Sequence, residues 1–352
     1  MPRIAVLPGD GIGVDVTREA VKALEAVRET FGADLALEHF DFSAERYLKD
    51  GTTLPQEAFV RFRDEFDAIL VGAFGDPRVP DMAHARDILL GLRFRLDLYV
   101  NLRPVRLYDD RLTPLRGKTA REIDMVIFRE NTEGLYVGAG GFLKKGTADE
   151  VAINEDINTR KGVERILRAA FEHARARNKR RLCMTDKSNV LRFAHDLWQR
   201  TFAEVRAEYP DIESSHMFVD ALCMQLVLKP EQFDVIVGCN MFGDIVSDLG
   251  AALAGGLGLA ASGNIHPGRV SLFEPVHGSA PKYAGKDRAN PLATILSAAL
   301  LLEHVGLLRE AEAVERSVRR AVAEHQVTVD LGGSLGTAAV GDFVARAVRE
   351  SV

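Results

Sequence analysis

The stretch GDGIG, residues 9–13, follows the apolar run RIAVLP and precedes a segment whose apolar positions Val16, Ala20, Leu24 and Val27 recur on one helical face. Strand, glycine turn and helix in that order is how many folds cradle a dinucleotide phosphate. The spacing decides against the commonest of them. A Rossmann fingerprint needs G-x-G-x-x-G with an acid about 20 residues further on, whereas these glycines stand at 9, 11 and 13. On local grounds they read as a tight strand-to-helix turn.

The alternation repeats outward from this unit. DAILVGAFG (67–75), IDMVIFRE (123–130), RLCMT (181–185) and FDVIVGCN (233–240) read as strands, and Val163, Ile166, Leu167 and Phe171 share one face of a further helix. These strands are too apolar to be wetted on one side, so they belong to sheets covered by helices on both faces, an α/β architecture. From Asn290 onward the chain reads as almost wholly helical. VGAGGFLKKGTADEVAINEDIN (137–158) is rich in glycine and charge and reads as an arm or hairpin. A length of 352 residues implies two domains, or one domain interrupted by another.

With 47% hydrophobic and 27% charged residues the composition is that of a globular protein. A net charge of −6 argues against nucleic acid as the main partner, because phosphate binding needs a clustered positive field. The one long basic cluster, ARARNKRR (174–181), reads as a solvated helix end. No run of about 18 apolar residues and no signal-like start is visible, which leads us to expect a cytoplasmic protein with no membrane partner. Cys183, Cys223 and Cys239 lack metal-ligand or disulfide spacing and read as free thiols in a reducing compartment.

Four stretches carry candidate chemistry. In NMFGDIVSDLG (240–250), Asp244 and Asp248 sit four residues apart on one helical face just after a strand. Like charges repel there unless a cation lies between them, and the absence of nearby Cys or His points to Mg²⁺ or Mn²⁺. GLRFRLDLYVNLRP (91–104) and FRENTEG (128–134) supply Arg93, Arg103 and Arg129 amid apolar residues, either as carboxylate clamps or as structural ion pairs. TDKSN (185–189) places Lys187 after a strand, with Tyr136 as a second group able to pass a proton. HGSAPKYAGKDRANP (277–291) is a basic, glycine-punctuated loop in an acidic chain.

Taken in order, these stretches resemble the β-decarboxylating dehydrogenases, the isopropylmalate/isocitrate dehydrogenase family, over practically the whole chain. NLRP, RENTEG, the lysine strand, VDALCMQLV, NMFGDIVSDL and FEPVHGSAPKYAG all occur in the family's sequence. The resemblance implies that family's own fold, not a Rossmann fold: two α/β domains with the active-site cleft between them. Residues 1–99 plus 255–352 would form a discontinuous cofactor-binding domain, and 100–254 a substrate and dimerisation domain. It implies oxidative decarboxylation of a malate substituted at C3, with a divalent metal and NAD or NADP. Arg93, Arg103 and Arg129 fall on the carboxylate-binding arginines, and Asp220, Asp244 and Asp248 on the metal ligands. Lys187 falls on the base, Tyr136 on the acid, and His277, Gly278, Ser279, Ala280, Lys282, Tyr283 and Asn290 on the cofactor site. Lys187 and Asp220 would come from a second subunit, so a homodimer with shared sites is implied.

Within the family, Leu89 and Leu90 match the leucine pair that meets the isopropyl group of 3-isopropylmalate. D-malate and tartrate enzymes also carry leucines there. Asp87 and Leu89 disfavour isocitrate, and Leu90 disfavours homoisocitrate. Arg86 stands where the isopropylmalate subfamily usually has a glutamate. Lys282 and Tyr283 are the pair that meets the NADP 2′-phosphate, while Val329 and Gly333 stand where NADP enzymes add a tyrosine and an arginine. A non-catalytic regulatory subunit is the competing class, and the chemically competent residue at every expected position argues against it.

Overall fold

A computed structural model of the chain describes residues 1–351. Two compact units make it up: Met1–Leu98 with Arg106–Ala120 and the segment from Ala251 onward, and Tyr99–Val105 with Arg121–Gly250.

In the first unit the strands lie in the order Ala36–His39, Arg3–Gly9, Ala68–Ala73, Ser271–Pro275 and Ala261–Ile265. Neighbours are parallel except for the last pair. Side chains alternate along a strand, and here both faces are covered. Ile4 and Val6 join a cluster with Leu24, Val27, Phe273, Val314 and Val344, whereas Ala5 and Leu7 join the opposite cluster of Phe62, Phe66, Ile69, Ile88 and Leu92. That is why these strands read as continuous apolar runs. The helices Ile12–Phe31, Leu292–His304, Leu308–Ala323 and Thr337–Arg349 cover the first face, so the helical reading from Asn290 onward holds.

The GDGIG turn does more than reverse the chain. Gly11 adopts φ 57, and a Cβ there would lie 2.2 Å from the carbonyl oxygen of Ser279. The next residue, Ile12, donates its N–H to that same oxygen at 2.8 Å. Only a glycine lets the turn dock onto the HGSAP loop, a long-range reason invisible in the local spacing.

In the second unit the order is Val100–Arg106, Asp124–Glu130, Val235–Gly238, Arg181–Asp186 and Glu213–Phe218. The last four pair in parallel. The helix Arg160–Ala176 buries Val163, Ile166, Leu167 and Phe171 as its periodicity requires, and Thr159 caps it by accepting from the Gly162 N–H. Gly140–Leu143 and Val151–Asn154 form an antiparallel two-stranded sheet whose residues are all exposed. Arg129, Lys187, Asp220 and Asn240 lie at or just beyond the carboxyl ends of four neighbouring parallel strands, the usual place for sites in such sheets.

The basic cluster at 174–181 is not merely solvated. Arg175 pairs with Asp211, Lys179 with Asp124 at 2.9 Å and Arg181 with Asp234 at 2.8 Å, acids that the chain brings in from other turns. The three cysteines are free, with Cys183 and Cys239 buried and Cys223 half-buried. Among the described residues no helix is long and apolar enough to cross a membrane.

Candidate active site

Asp244 is the hub of the second unit's polar cluster. Its Oδ1 meets Arg103 Nη2 at 3.1 Å and accepts from Arg129 Nη1, while its Oδ2 accepts from the Tyr136 hydroxyl at 2.7 Å. One turn on, Asp248 Oδ1 lies 3.2 Å from Arg103 Nη1. The i,i+4 pair is thus balanced by two guanidinium groups, and both readings left open for these arginines, clamp and ion pair, are compatible with their geometry. Burial raises the Asp248 carboxyl above its ordinary value, with Arg103 opposing and Asp244 adding to the rise. Burial and the bond to Asp244 likewise hold the Tyr136 phenol above its ordinary value, so it carries its proton at neutral pH.

The arginines are held rather than merely present. Arg103 donates from Nε to Asn101 at 2.7 Å and from Nη1 to Ser247 at 2.7 Å. Arg129, 2% exposed, donates from Nε and Nη2 to Asn240 Oδ1 at 2.9 and 2.7 Å, and its guanidinium lies over the Tyr136 ring. Asn240 is itself fixed by donating to the Glu133 carbonyl at 3.0 Å. Gly243 lets the helix approach, since a Cβ there would sit 2.7 Å from Arg129 Cβ.

Lys187 Nζ donates to Asp220 at 2.5 Å, a bond that lowers the Asp220 carboxyl below its ordinary value. Its backbone N–H donates to His195 Nδ1 at 2.8 Å. Lys187 and Asp220 therefore travel as a pair. Among the described residues no three His, Cys, Asp or Glu side chains gather to hold a metal, so within one chain Asp220 does not join Asp244 and Asp248.

In the first unit Arg93 faces Glu274 at 3.7 Å, and Asn264 holds that carboxylate at 2.8 Å. Leu89 and Leu90 are half-buried, and Leu89 packs against the core around Phe62 and Leu92. Their segment is not one plain helix. Ala83–Ala85 leads into a π-helical turn over Arg86–Leu90 and then Gly91–Arg95, which leaves Arg86 and Asp87 exposed. Around the HGSAP loop, Ala280 adopts φ 35, Lys282 lies over the Tyr283 ring, and Gly285 N–H donates to Asp15 at 2.8 Å. The His277 Nε2 atom is buried without a partner among the described residues, and Asn290 donates to Asp330 at 2.9 Å.

The family described as isocitrate/isopropylmalate dehydrogenase matches residues 3–344. The chain belongs to this family. It is 48% identical to the 3-isopropylmalate dehydrogenase of Thermobifida fusca, over 99% of this chain and 98% of that protein. It is 50% identical to that of Frankia casuarinae, over 92% and 93%. Among solved structures, the isocitrate dehydrogenase of Methylococcus capsulatus is similar with a TM-score of 0.89 and 37% identity, covering 99% of this chain and 100% of that one. The TT0538 protein of Thermus thermophilus gives 0.88 and 37%, covering 98% and 68%.

As a member of the isocitrate/isopropylmalate dehydrogenase family, the chain carries the α/β fold expected from its motifs. Several residues of the site escaped the sequence reading. Asn101 stands two residues before Arg103, on the same strand face, a period-2 signal that was legible. Asn240, Ser247 and Glu274 gave no local signal, because each acts on an arginine far away in sequence, and neither did Asn264, which holds the Glu274 carboxylate.

Proposed function

We propose that this chain oxidatively decarboxylates 3-isopropylmalate to 2-oxoisocaproate and CO₂ with reduction of a nicotinamide dinucleotide, a step of leucine biosynthesis. The observation that carries the reading is the Asp244 cluster, where two held arginines and a protonated tyrosine converge on a carboxylate pair. Near-full-length similarity to enzymes named for that substrate supports it.

The donor set suits a divalent ion: the carboxylates of Asp244 and Asp248, hard oxygen donors one helical turn apart, with Asp220 supplied by a second copy. Held there, Mg²⁺ or Mn²⁺ would supply Lewis acidity toward the substrate's hydroxyl and carboxylate oxygens. Arg93, Arg103 and Arg129 bind the substrate carboxylates, and Leu89 and Leu90 meet its apolar substituent. Lys187 of the second copy would take the hydroxyl proton, a bound nicotinamide would supply the hydride acceptor, and Tyr136 would return a proton to the carbon that loses CO₂. A homodimer is supported by apolar side chains left in water: Phe142 is 56%, Met224 55% and Leu228 57% exposed. The free cysteines suit a cytoplasmic location.

His277, Gly278, Ser279, Ala280 and Asn290 line the dinucleotide, and Lys282 and Tyr283 favour NADP. Gly333 limits that preference. A Cβ there would lie 2.0 Å from the Val327 carbonyl oxygen, so an arginine has no room at this position. We therefore assign NADP use or dual use. The test is a panel of 3-isopropylmalate, D-malate, tartrate, isocitrate and homoisocitrate with each cofactor, followed at 340 nm. The substrate assignment falls if D-malate outruns 3-isopropylmalate, and the cofactor assignment falls if NAD wins by about a hundredfold, roughly 2.7 kcal/mol.

A further inference from the structure

We infer that the buried Asp10–His84 pair is a positioning latch that ties the substrate-side segment 83–95 to the turn on which the cofactor loop docks. The inference rests on the reading above that Leu89, Leu90 and Arg93 meet the substrate.

Asp10 is 5% exposed and its carboxylate accepts three hydrogen bonds: from Ala44 N at 2.6 Å, Gly75 N at 2.8 Å and His84 Nε2 at 2.7 Å. One side chain thus gathers the GDGIG turn, the start of the Ala44–Asp50 helix, the loop after the Ala68–Ala73 strand and the segment that leads to Arg93. The same turn reaches the cofactor loop. Ile12 N–H donates to Ser279 O, and Gly75 lies so close that a Cβ on it would sit 2.7 Å from Met82 Cε and 3.2 Å from Ser279 Oγ.

His84 is fully buried, its ring 5.9 Å from that of Tyr47 and 6.5 Å from that of Phe74. A carboxylate only accepts, so Nε2 carries the proton; Nδ1 has no partner among the described residues. A buried ring nitrogen left unpaired is unfavourable, and Leu or Phe would fill the same space without it. The bond to Asp10 is what an apolar residue cannot supply. The segment begins at Met82 in a left-handed conformation, with φ 54, and then passes through a π-helical turn, a local irregularity of the kind that recurs at functional sites. His84 acts through Leu90 and Arg93 and touches no reacting atom, so it is a positioning residue.

The test compares His84→Phe, which keeps a ring against Tyr47 and Phe74 but has no donor, with His84→Gln, which places an amide N–H near the position of Nε2. In the ligand-free protein, hydrogen exchange of H84F speeds up at least about tenfold over 83–95 and at 277–285 while residues 160–176 stay unchanged; H84Q stays within about threefold of wild type. In H84F the KM for 3-isopropylmalate rises about tenfold or more with kcat within about threefold, and the KM for D-malate, which shares the carboxylates that Arg93 binds but lacks the C3 substituent, rises by a smaller factor. If H84F does not fold, His84→Met carries the same expectations. Unchanged exchange over 83–95, acceleration that extends to 160–176, or H84Q behaving as H84F overturns the latch. A wild-type enzyme inert toward both substrates sinks the proposed function, and the exchange data still decide the latch.

Discussion

Gly243→Ala sets helix propensity against tertiary geometry. Gly243 lies inside the Asn240–Leu253 helix, where replacing glycine with alanine is worth about 1 kcal/mol in favour of the helix. The structure reverses that expectation. The new methyl would start 2.7 Å from Arg129 Cβ, 2.8 Å from Cγ and 3.0 Å from Cα. Ordinary carbon contact begins at about 3.5 Å, so helix and strand must part by roughly 0.8 Å. Arg129 cannot absorb the shift by swinging away, because it is 2% exposed and tied to Asn240 and Asp244. Overpacking of this kind costs about 1–3 kcal/mol, which cancels or exceeds the propensity gain. Displacing Arg129 by close to 1 Å costs up to about a hundredfold in a positioned interaction. We expect the KM for the hydroxy-acid substrate to rise about ten- to a hundredfold, kcat to fall less, and Tm not to rise. Steady-state kinetics and calorimetry on the same preparation measure all three. A raised Tm with KM within about twofold of wild type would show that the contact is soft and would refute the reasoning.

Tyr136→Phe removes the hydroxyl that donates to Asp244, and kcat is expected to fall about 10²- to 10⁴-fold with little change in KM. A variant within threefold of wild-type kcat would remove Tyr136 from the chemistry. His173 makes stability fall in acid. Burial, with Arg177 and Lys179 nearby, lowers its folded-state value to about 4 from 6.5, so the unfolded chain binds the proton first. The stability it contributes is whole above pH 6.5 and is lost as pH falls toward 4, an upper bound of about 3 kcal/mol. Urea unfolding across that range should show His173→Phe with a shallower acid slope than wild type, and parallel slopes would remove His173 as a cause.

The periodicities were legible because they are local. Period-3.6 apolar positions placed Val16, Ala20, Leu24 and Val27, and Val163, Ile166, Leu167 and Phe171, on buried helix faces. Uninterrupted apolar runs marked strands that the structure covers on both sides. Motif order carried the family, and with it the arginines and the Asp244–Asp248 pair. What local reading missed were second partners. It took ARARNKRR for a solvated end because the acids that pair with Arg175, Lys179 and Arg181 lie 30 to 60 residues away. The π-helical turn over Arg86–Leu90 left no mark in the sequence because such a turn is fixed by packing rather than by composition.

By itself, then, the sequence determined the α/β class, the helix faces, the rejection of a Rossmann turn and the motifs of a β-decarboxylating dehydrogenase, since each depends on residues within a few positions of one another. Only the tertiary structure decided why GDGIG is built of glycines: Gly11 lies against Ser279, and Asp10 reaches across 74 positions to His84. Those contacts depend on which chain segments meet in space. Sequence spacing carries no record of that, because the same glycines would serve any tight turn.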